Sequence, residues 1–206
     1  MSEEARSEEA RFEEAGSDSD LLGDVHDHPF RKVGDDLIHQ GFVISVTNAK
    51  FEGPDGVIMD RDVVHHPGAV TVVPVLADGT VVMVRQFRSS IEEMLLELPA
   101  GKRDVADEPP AVTAARELRE EVGLEATELI PLVELLHSPG FCDEVNHIFL
   151  ATGLTGVERS VDGPEEEHMT IVHLPLADLY DRIADGTLTD AKTIVGLTLA
   201  YHRLIG

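Results

Sequence analysis

The chain has 206 residues and a formal net charge of −24 at pH 7, with 40 acidic residues against 16 basic ones. This length suits one catalytic domain with an N-terminal extension. So acidic a surface repels nucleic-acid phosphates and anionic membranes, which argues against both as general partners. The single cysteine, Cys142, excludes an internal disulfide framework, and no apolar run is long enough to span a bilayer. We therefore expect a cytoplasmic protein.

Composition divides the chain into three parts. Residues 1–24 are acidic and nearly free of core-forming side chains, so we expect a disordered tail. Residues 25–66 contain β-branched stretches at 42–46 and 56–59, which predict N-terminal strands. Residues 67–206 carry the remaining periodic segments and form the expected main domain.

The main domain alternates strand and helix patterns. Two β-branched runs, 69–76 and 80–87, flank Asp78-Gly79 and predict a β-hairpin, in which Pro74 indicates an edge or a bulge. Further strands are expected at 128–136, 145–150 and 169–174, and closing helices at 176–184 and 190–204. Strands mixed with helices in this order indicate an α/β sandwich.

The most informative stretch is residues 97–124, ELPAGKRDVADEPPAVTAARELREEVGL. After Pro109 and Pro110 it predicts a helix whose core stripe contains Ala114, Ala115, Leu118 and Val122. At 3.6 residues per turn, Glu117 and Glu121 lie one above the other with Glu120 beside them. Three like charges on one stripe repel, and Arg116 neutralises only part of that charge. A hard divalent cation with oxygen ligands, Mg²⁺ or Mn²⁺, would neutralise the rest.

The order of residues in this stretch, G-x6-E-x7-R-E-L-R-E-E-V-G-L, resembles the Nudix box. The usual box has five residues between its first glycine and the following glutamate, whereas six separate Gly101 from Glu108. The extra residue falls before the helix, so the spacing of the helical acids is kept. It places Asp107 at the usual position and leaves the role of Glu108 open. The resemblance implies a Nudix-type α/β/α sandwich with a mixed sheet.

Other segments are similar to the ADP-ribose pyrophosphatase branch of the Nudix superfamily. They are HPGAVTVVPVLADGTVVMVRQFR, LLELPAG, SPGFCDE and the acidic loop before Met169. Members of this branch hydrolyse ADP-ribose to AMP and ribose 5-phosphate. The resemblance also implies that residues 38–63 pair with a second subunit, so we expect a homodimer.

The resemblance implies roles for individual residues. Glu117 and Glu121, with Glu120 close by and the carbonyl oxygen of Ala100, would bind the divalent cations, and Arg116 would orient the glutamates. A late-loop glutamate would be the general base or a further ligand, with Glu166 preferred over Glu165 and Glu167.

The resemblance implies one substrate contact, at Arg88, and the loop residues Phe141 and Glu144 are two further candidates. Arg88 would bind the diphosphate; it stands three residues from Arg85 on one strand, so only one of the two is expected to face the site. Phe141 would contact the base or ribose, or else pack within its loop. Glu144 would hydrogen-bond the substrate or cap that loop.

Two other functions remain compatible with the sequence. The same acids would serve a hydrolase of another nucleoside diphosphate derivative, such as a nucleotide sugar. A sensor that binds ADP-ribose without cleaving it is less favoured, because the box is complete and the appended segment is acidic.

Overall fold

A computed structural model describes residues 27–159 and 168–206. The predicted acidic tail, residues 1–24, and the late-loop acids Glu165, Glu166 and Glu167 therefore lie outside the described residues. Within the described ranges, the chain forms two compact units, one with residues 27–36 and 48–61, the other with 37–47 and 62–159 together with 168–206. No helix in these ranges is long and apolar enough to cross a membrane.

The described residues form twelve strands, three α-helices and one short 3-10 turn. The strands are β1 Arg31–Gln40, β2 Ser45–Glu52, β3 Ile58–His65, β4 Ala69–Pro74, β5 Thr80–Arg88, β6 Glu93–Glu97, β7 Ala100–Lys102, β8 Leu124–Glu125, β9 Glu128–Leu136, β10 Val145–Thr152, β11 Thr155–Gly156 and β12 Thr170–Pro175. The helices are α1 Pro110–Val122, α2 Leu179–Ala184, which follows the 3-10 turn Leu176–Asp178, and α3 Ala191–Leu204.

The N-terminal strands form a three-stranded sheet in the order β1-β2-β3. The predicted strand at 42–46 is wrong in its bounds, because the Gly41 N–H donates to the Ile44 carbonyl oxygen at 2.8 Å and closes a turn there. Strand β2 begins only at Ser45. Strand β1 is almost wholly exposed, so it lacks the apolar alternation by which a strand is recognised in sequence.

Two further sheets form the centre of the main domain. One is mixed, in the order β7-β4-β10-β9, with β4 and β10 parallel. The other is antiparallel, in the order β12-β5-β6. A two-residue pairing of β8 with β11 completes the described strands.

The predicted β4–β5 hairpin is wrong, although its turn is present. The Gly79 N–H donates to the Leu76 carbonyl oxygen at 2.9 Å, and one bridge joins Val75 to Val81. Beyond that bridge the two strands separate into different sheets, because β7 and β10 occupy the edges of β4. Pro74 is the last residue of β4 and lies beyond the pairing with β7, which ends at Thr71, so it is unpaired on that side, as the predicted edge position requires.

Two buried clusters cover opposite faces of these strands, as the two-residue period requires. Val72 and Phe149 belong to the cluster that contains Leu118 of α1. Their neighbours Val73 and Ile148 belong to the cluster that contains Leu197 of α3. The domain is thus an α/β/α sandwich with a mixed sheet, as predicted.

Helix α1 ends where the sequence predicts and begins one residue earlier, at Pro110 instead of Ala111. Pro110 occupies its first turn, and Gly123 ends it with φ of 65°. The predicted stripe holds for three of its four members, since Ala115 is exposed. The side on which Ala114 is buried also carries the buried Glu117 and Glu121, so these two acids face the protein rather than the solvent.

Candidate functional site

A cleft of about 910 Å³ in the main domain collects most of the predicted site residues. Its lining includes all four predicted metal ligands, two of the three predicted substrate contacts and one predicted orienting residue: Ala100, Glu117, Glu120, Glu121, Arg88, Glu144 and Arg116. Phe141 does not line it and is 57% exposed. Arg88 lines it and Arg85 does not, which matches the expectation that only one of them faces the site.

One wall of the cleft is the face of α1 that carries Glu117 and Glu121, which are 7% and 4% exposed. Glu121 Oε2 accepts a hydrogen bond from the Ala100 N–H at 2.9 Å. The Glu117 carboxylate fills the space beside Gly101, where a Cβ atom would lie 1.9 Å from its carboxyl carbon. Position 101 therefore requires glycine, because the β7 backbone lies in direct contact with both carboxylates.

Arg116 neutralises several acids of this wall. Its Nη1 donates to Glu117 Oε1 at 2.9 Å and to Glu120 Oε2 at 3.0 Å, and its Nη2 lies 3.5 Å from Glu108 Oε2. Burial alone would lower the pKa of Arg116, but the charges of these glutamates outweigh burial and raise it. Glu108 also accepts from the Thr113 hydroxyl at 2.7 Å, which places it at the start of α1.

The cleft lining also contains charged residues that were not predicted from the sequence. Glu97 is 1% exposed and lies between Arg88 and Lys192. Lys192 also pairs with Asp190 at 2.9 Å. A signal was present in the sequence: Glu97 is a lone charge at the end of an apolar segment, and a buried charge requires a partner.

The cleft carries an excess of negative charge. Among its described lining residues, the four Lys and Arg side chains are Arg88, Lys102, Arg116 and Lys192. The seven acids are Glu97, Asp104, Glu117, Glu120, Glu121, Glu144 and Asp190. An anionic ligand would be repelled by this excess unless cations entered with it.

The loop that carries Phe141 and Glu144 is anchored to the end of β3. The Val64 N–H donates to the Phe141 carbonyl oxygen at 2.7 Å, and His65 Nδ1 donates to Asp143 Oδ2 at 2.5 Å. Burial raises the pKa of Asp143, but the hydrogen bonds from His65 and from the His66 N–H, together with the charge of His65, outweigh burial and the net shift of the pKa is downward.

Glu144 turns towards the cleft. Its Oε2 lies 3.4 Å from His137 Nδ1, and its Oε1 lies 3.9 Å from His66 Nδ1. The hydrogen bond with His137 and the charge of His66 lower the pKa of Glu144, so this carboxylate is ionised at neutral pH. It is available to accept a hydrogen bond from a hydroxyl or amine of a ligand.

The donor set fits a hard divalent cation, which prefers carboxylate and carbonyl oxygens. The two buried carboxylates of Glu117 and Glu121 lie against the backbone of Ala100 and Gly101. A Cβ atom at position 101 would displace the Glu117 carboxylate. Among the described residues, no three His, Cys, Asp or Glu side chains already surround one point. Arg116 holds Glu117, and the Ala100 N–H holds Glu121. A bound cation would therefore compete with these two contacts.

Comparison with known proteins identifies the family. Residues 65–194 match the model of the NUDIX domain. The chain is 42% identical to the ADP-ribose pyrophosphatase of Mycobacterium tuberculosis over 178 aligned residues, and the alignment covers 86% of each chain. It is 35% identical to the methanol dehydrogenase activator of Bacillus methanolicus over 160 aligned residues, and this alignment covers 78% of this chain and 86% of that protein.

A solved structure described as an ADP compounds hydrolase is also similar. It superposes with a TM-score of 0.74 at 25% identity and covers 85% of this chain and 94% of that one. Its fold agrees with the α/β/α sandwich described above. On the family match and on these relatives, the chain belongs to the NUDIX domain family.

Proposed function

We propose that the protein hydrolyses the diphosphate bond of ADP-ribose, to AMP and ribose 5-phosphate, with Mg²⁺ or Mn²⁺. The observation that carries this proposal is the packing of Glu117 against Gly101 beside the Glu121–Ala100 hydrogen bond. This arrangement brings two buried carboxylates and a strand backbone into one cleft. The similarity to an ADP-ribose pyrophosphatase over 86% of the chain supports the substrate.

The proposed cation ligands are Glu117, Glu121 and the carbonyl oxygen of Ala100, with Glu120 close by. Divalent cations supply charge neutralisation at a diphosphate and make water a better nucleophile. The excess of acids in the cleft explains why the substrate needs these cations, since a diphosphate alone would meet net negative charge.

The chain's own residues position the substrate and the acids. Arg88 reaches the cleft with part of its guanidinium uncommitted and is the proposed diphosphate contact. Arg116 holds Glu117 and Glu120 in register along α1. Glu166 is the proposed general base, which would take a proton from the attacking water as the other phosphate leaves.

Glu144 and Phe141 are the proposed contacts to the rest of the substrate. Glu144 is the better placed of the two, because it lines the cleft with an ionised carboxylate. Phe141 lies outside the cleft lining in the described chain, so its contact would require either a partner chain or movement of its side chain.

The direct test is product identification by chromatography. Purified protein with Mg²⁺ is expected to release AMP and ribose 5-phosphate from ADP-ribose, and Glu121→Gln should lower the rate by about 100-fold or more. Glu128→Gln, on the exposed start of β9, is the matched control and should keep the wild-type rate. A Glu121→Gln variant as active as this control would show that the metal assignment is wrong.

The same experiment separates the other functions. A panel of ADP-ribose, GDP-mannose, UDP-glucose and NADH, run with Mg²⁺ and then with Mn²⁺, would show whether a nucleotide sugar or another diphosphate is preferred. Tight binding of ADP-ribose without any product would instead support a sensor.

Two further properties belong to this proposal. The protein is proposed to be a homodimer, because Leu37, Ile38 and Phe42 expose large apolar side chains in the N-terminal segment. It is also proposed to be cytoplasmic, as the composition of the chain indicates.

A further inference from the structure

We propose that Lys192 is a positioning residue, which holds the buried carboxylate of Glu97 so that Glu97 in turn aims the guanidinium of Arg88 at the substrate phosphates. This inference rests on the proposed function, since it concerns how the diphosphate is recognised. It adds to that function a residue on α3, about a hundred positions along the chain from Arg88.

The geometry starts from Glu97, whose two oxygens are divided between two cations. Oε2 accepts from Arg88 Nε at 2.8 Å and lies 2.6 Å from Arg88 Nη2. Oε1 accepts from Lys192 Nζ at 2.9 Å. The Glu97 side chain is only 2% exposed, so water cannot replace either partner. A carboxylate buried this deeply keeps its charge and direction only through such contacts.

Arg88 keeps donors for a ligand. A guanidinium carries five N–H donors, and Glu97 engages its Nε and Nη2 edge. The Arg88 side chain is 36% exposed and lines the cleft. The remaining N–H groups suit phosphate oxygens, for which the planar fork of arginine is well shaped. Glu97 therefore decides which edge of Arg88 faces the substrate.

Lys192 holds the Glu97 oxygen that does not contact Arg88. Its Nζ is held by Asp190 Oδ1 at 2.9 Å, and Asp190 caps α3 by accepting from the Thr193 N–H at 2.9 Å. The Thr193 hydroxyl accepts from the Leu98 N–H at 3.0 Å, next to Glu97. The first turn of α3 is thus tied to the end of β6, and the position of Lys192 is set by the fold.

The positive charge of Lys192 also affects the electrostatic potential at Arg88. Arg88, Glu97, Lys192 and Asp190 carry two positive and two negative charges, so the group is neutral as a whole. Without Lys192, two carboxylates would face Arg88 alone. Oε1 of Glu97 would then be free to turn towards the guanidinium, and the positive potential offered to a phosphate would fall.

The test is a double-mutant cycle on the full chain. We measure kcat and KM for ADP-ribose hydrolysis in Mg²⁺ for the wild type, Lys192→Met, Arg88→Ala and the double variant. Lys192→Met should lower kcat/KM by about tenfold, mainly through KM, because a hydrogen bond to a charged group is lost. In the Arg88→Ala background the same change should matter less than twofold, since the residue through which it acts is gone.

Two readouts separate positioning from general damage. The Mg²⁺ concentration for half-maximal rate should stay unchanged in Lys192→Met, because Glu117 and Glu121 are untouched. Arg182→Met removes an exposed ion pair of α2 with Asp185 and should leave kcat/KM at the wild-type value. Independent, multiplicative losses in the cycle, or a shifted Mg²⁺ requirement, would overturn the proposal.

A second variant covers the case in which Lys192→Met does not fold. Glu97→Gln keeps the shape of the side chain but loses its charge, and it should raise KM about tenfold with the same non-additivity towards Arg88→Ala. Unchanged KM in Glu97→Gln would overturn the proposal as well. A wild type that releases no AMP from ADP-ribose would instead contradict the proposed function, so the two failures are distinguishable.

Discussion

Replacing Gly101 by alanine should abolish most of the activity and leave the fold in place. A Cβ atom at this position would lie 1.9 Å from the Glu117 carboxyl carbon and 2.1 and 2.3 Å from its two oxygens. Carbon atoms make favourable contact only from about 3.5 Å, so the carboxylate must retreat by roughly 1.6 Å. The obstacle is the end of one side chain, so the strand itself need not move.

The size of the effect follows from that displacement. A misplacement of about 1 Å at a reacting centre costs about 100-fold in rate, so we expect kcat/KM in Mg²⁺ to fall by about 100-fold or more. The same movement breaks the 2.9 Å hydrogen bond between Arg116 and Glu117. Such a bond is worth about 1.5–3 kcal/mol, which in a chain of this size lowers Tm by only several degrees.

The assay combines AMP release with thermal unfolding of the same samples. Gly156→Ala is the matched control, because a Cβ atom there meets open space. Gly101→Ala should lose its activity while unfolding cooperatively within several degrees of this control. Wild-type activity in Gly101→Ala would show that the position of Glu117 is immaterial to the reaction.

Two other predictions concern stability and assembly. Burial alone would raise the pKa of Asp190, but the charge of Lys192 and the hydrogen bond from the Thr193 N–H lower this pKa below its usual 3.8. The ionised Asp190 therefore contributes stability above pH 3.8, and this contribution is lost as the pH falls through the lowered pKa. Asp190→Asn keeps a side chain that can cap the helix but loses the negative charge beside Lys192, so Tm should fall at pH 7. In strong acid the difference in Tm from the wild type should vanish. An equal difference at both pH values would contradict the lowered pKa. Light scattering at micromolar concentration should give twice the 22.4 kDa chain mass, and Ile38→Glu, which charges an exposed apolar position of β1, should reduce it towards one chain; a wild-type mass of one chain would exclude the dimer.

The helix and its acids could be predicted because their information is local. Pro110, Gly123 and the 3.6-residue period define α1, and the same period places Glu117 and Glu121 on one face. Burial of both acids follows once that face also carries Leu118, which packs on the sheet.

Pairing of strands could not be predicted in the same way, because it depends on distant segments. Asp78-Gly79 does make the expected turn, yet β4 pairs with β7 and β10, which lie far along the chain. Lys192 and Glu97 were missed for the same reason, since their contact joins α3 to β6. A single sequence shows that Glu97 needs a partner but not which residue supplies it.

In the proposed function, the acids of α1 hold divalent cations against a diphosphate. A crystal structure with Mn²⁺ and a non-cleavable analogue of ADP-ribose, in which anomalous scattering locates the metal, tests this arrangement directly. We expect Mn²⁺ bound by Glu117, Glu121 and the Ala100 carbonyl oxygen, in contact with the diphosphate, while Arg88 binds the phosphates. Mn²⁺ bound elsewhere, with α1 and its acids unoccupied beside the bound analogue, would contradict it.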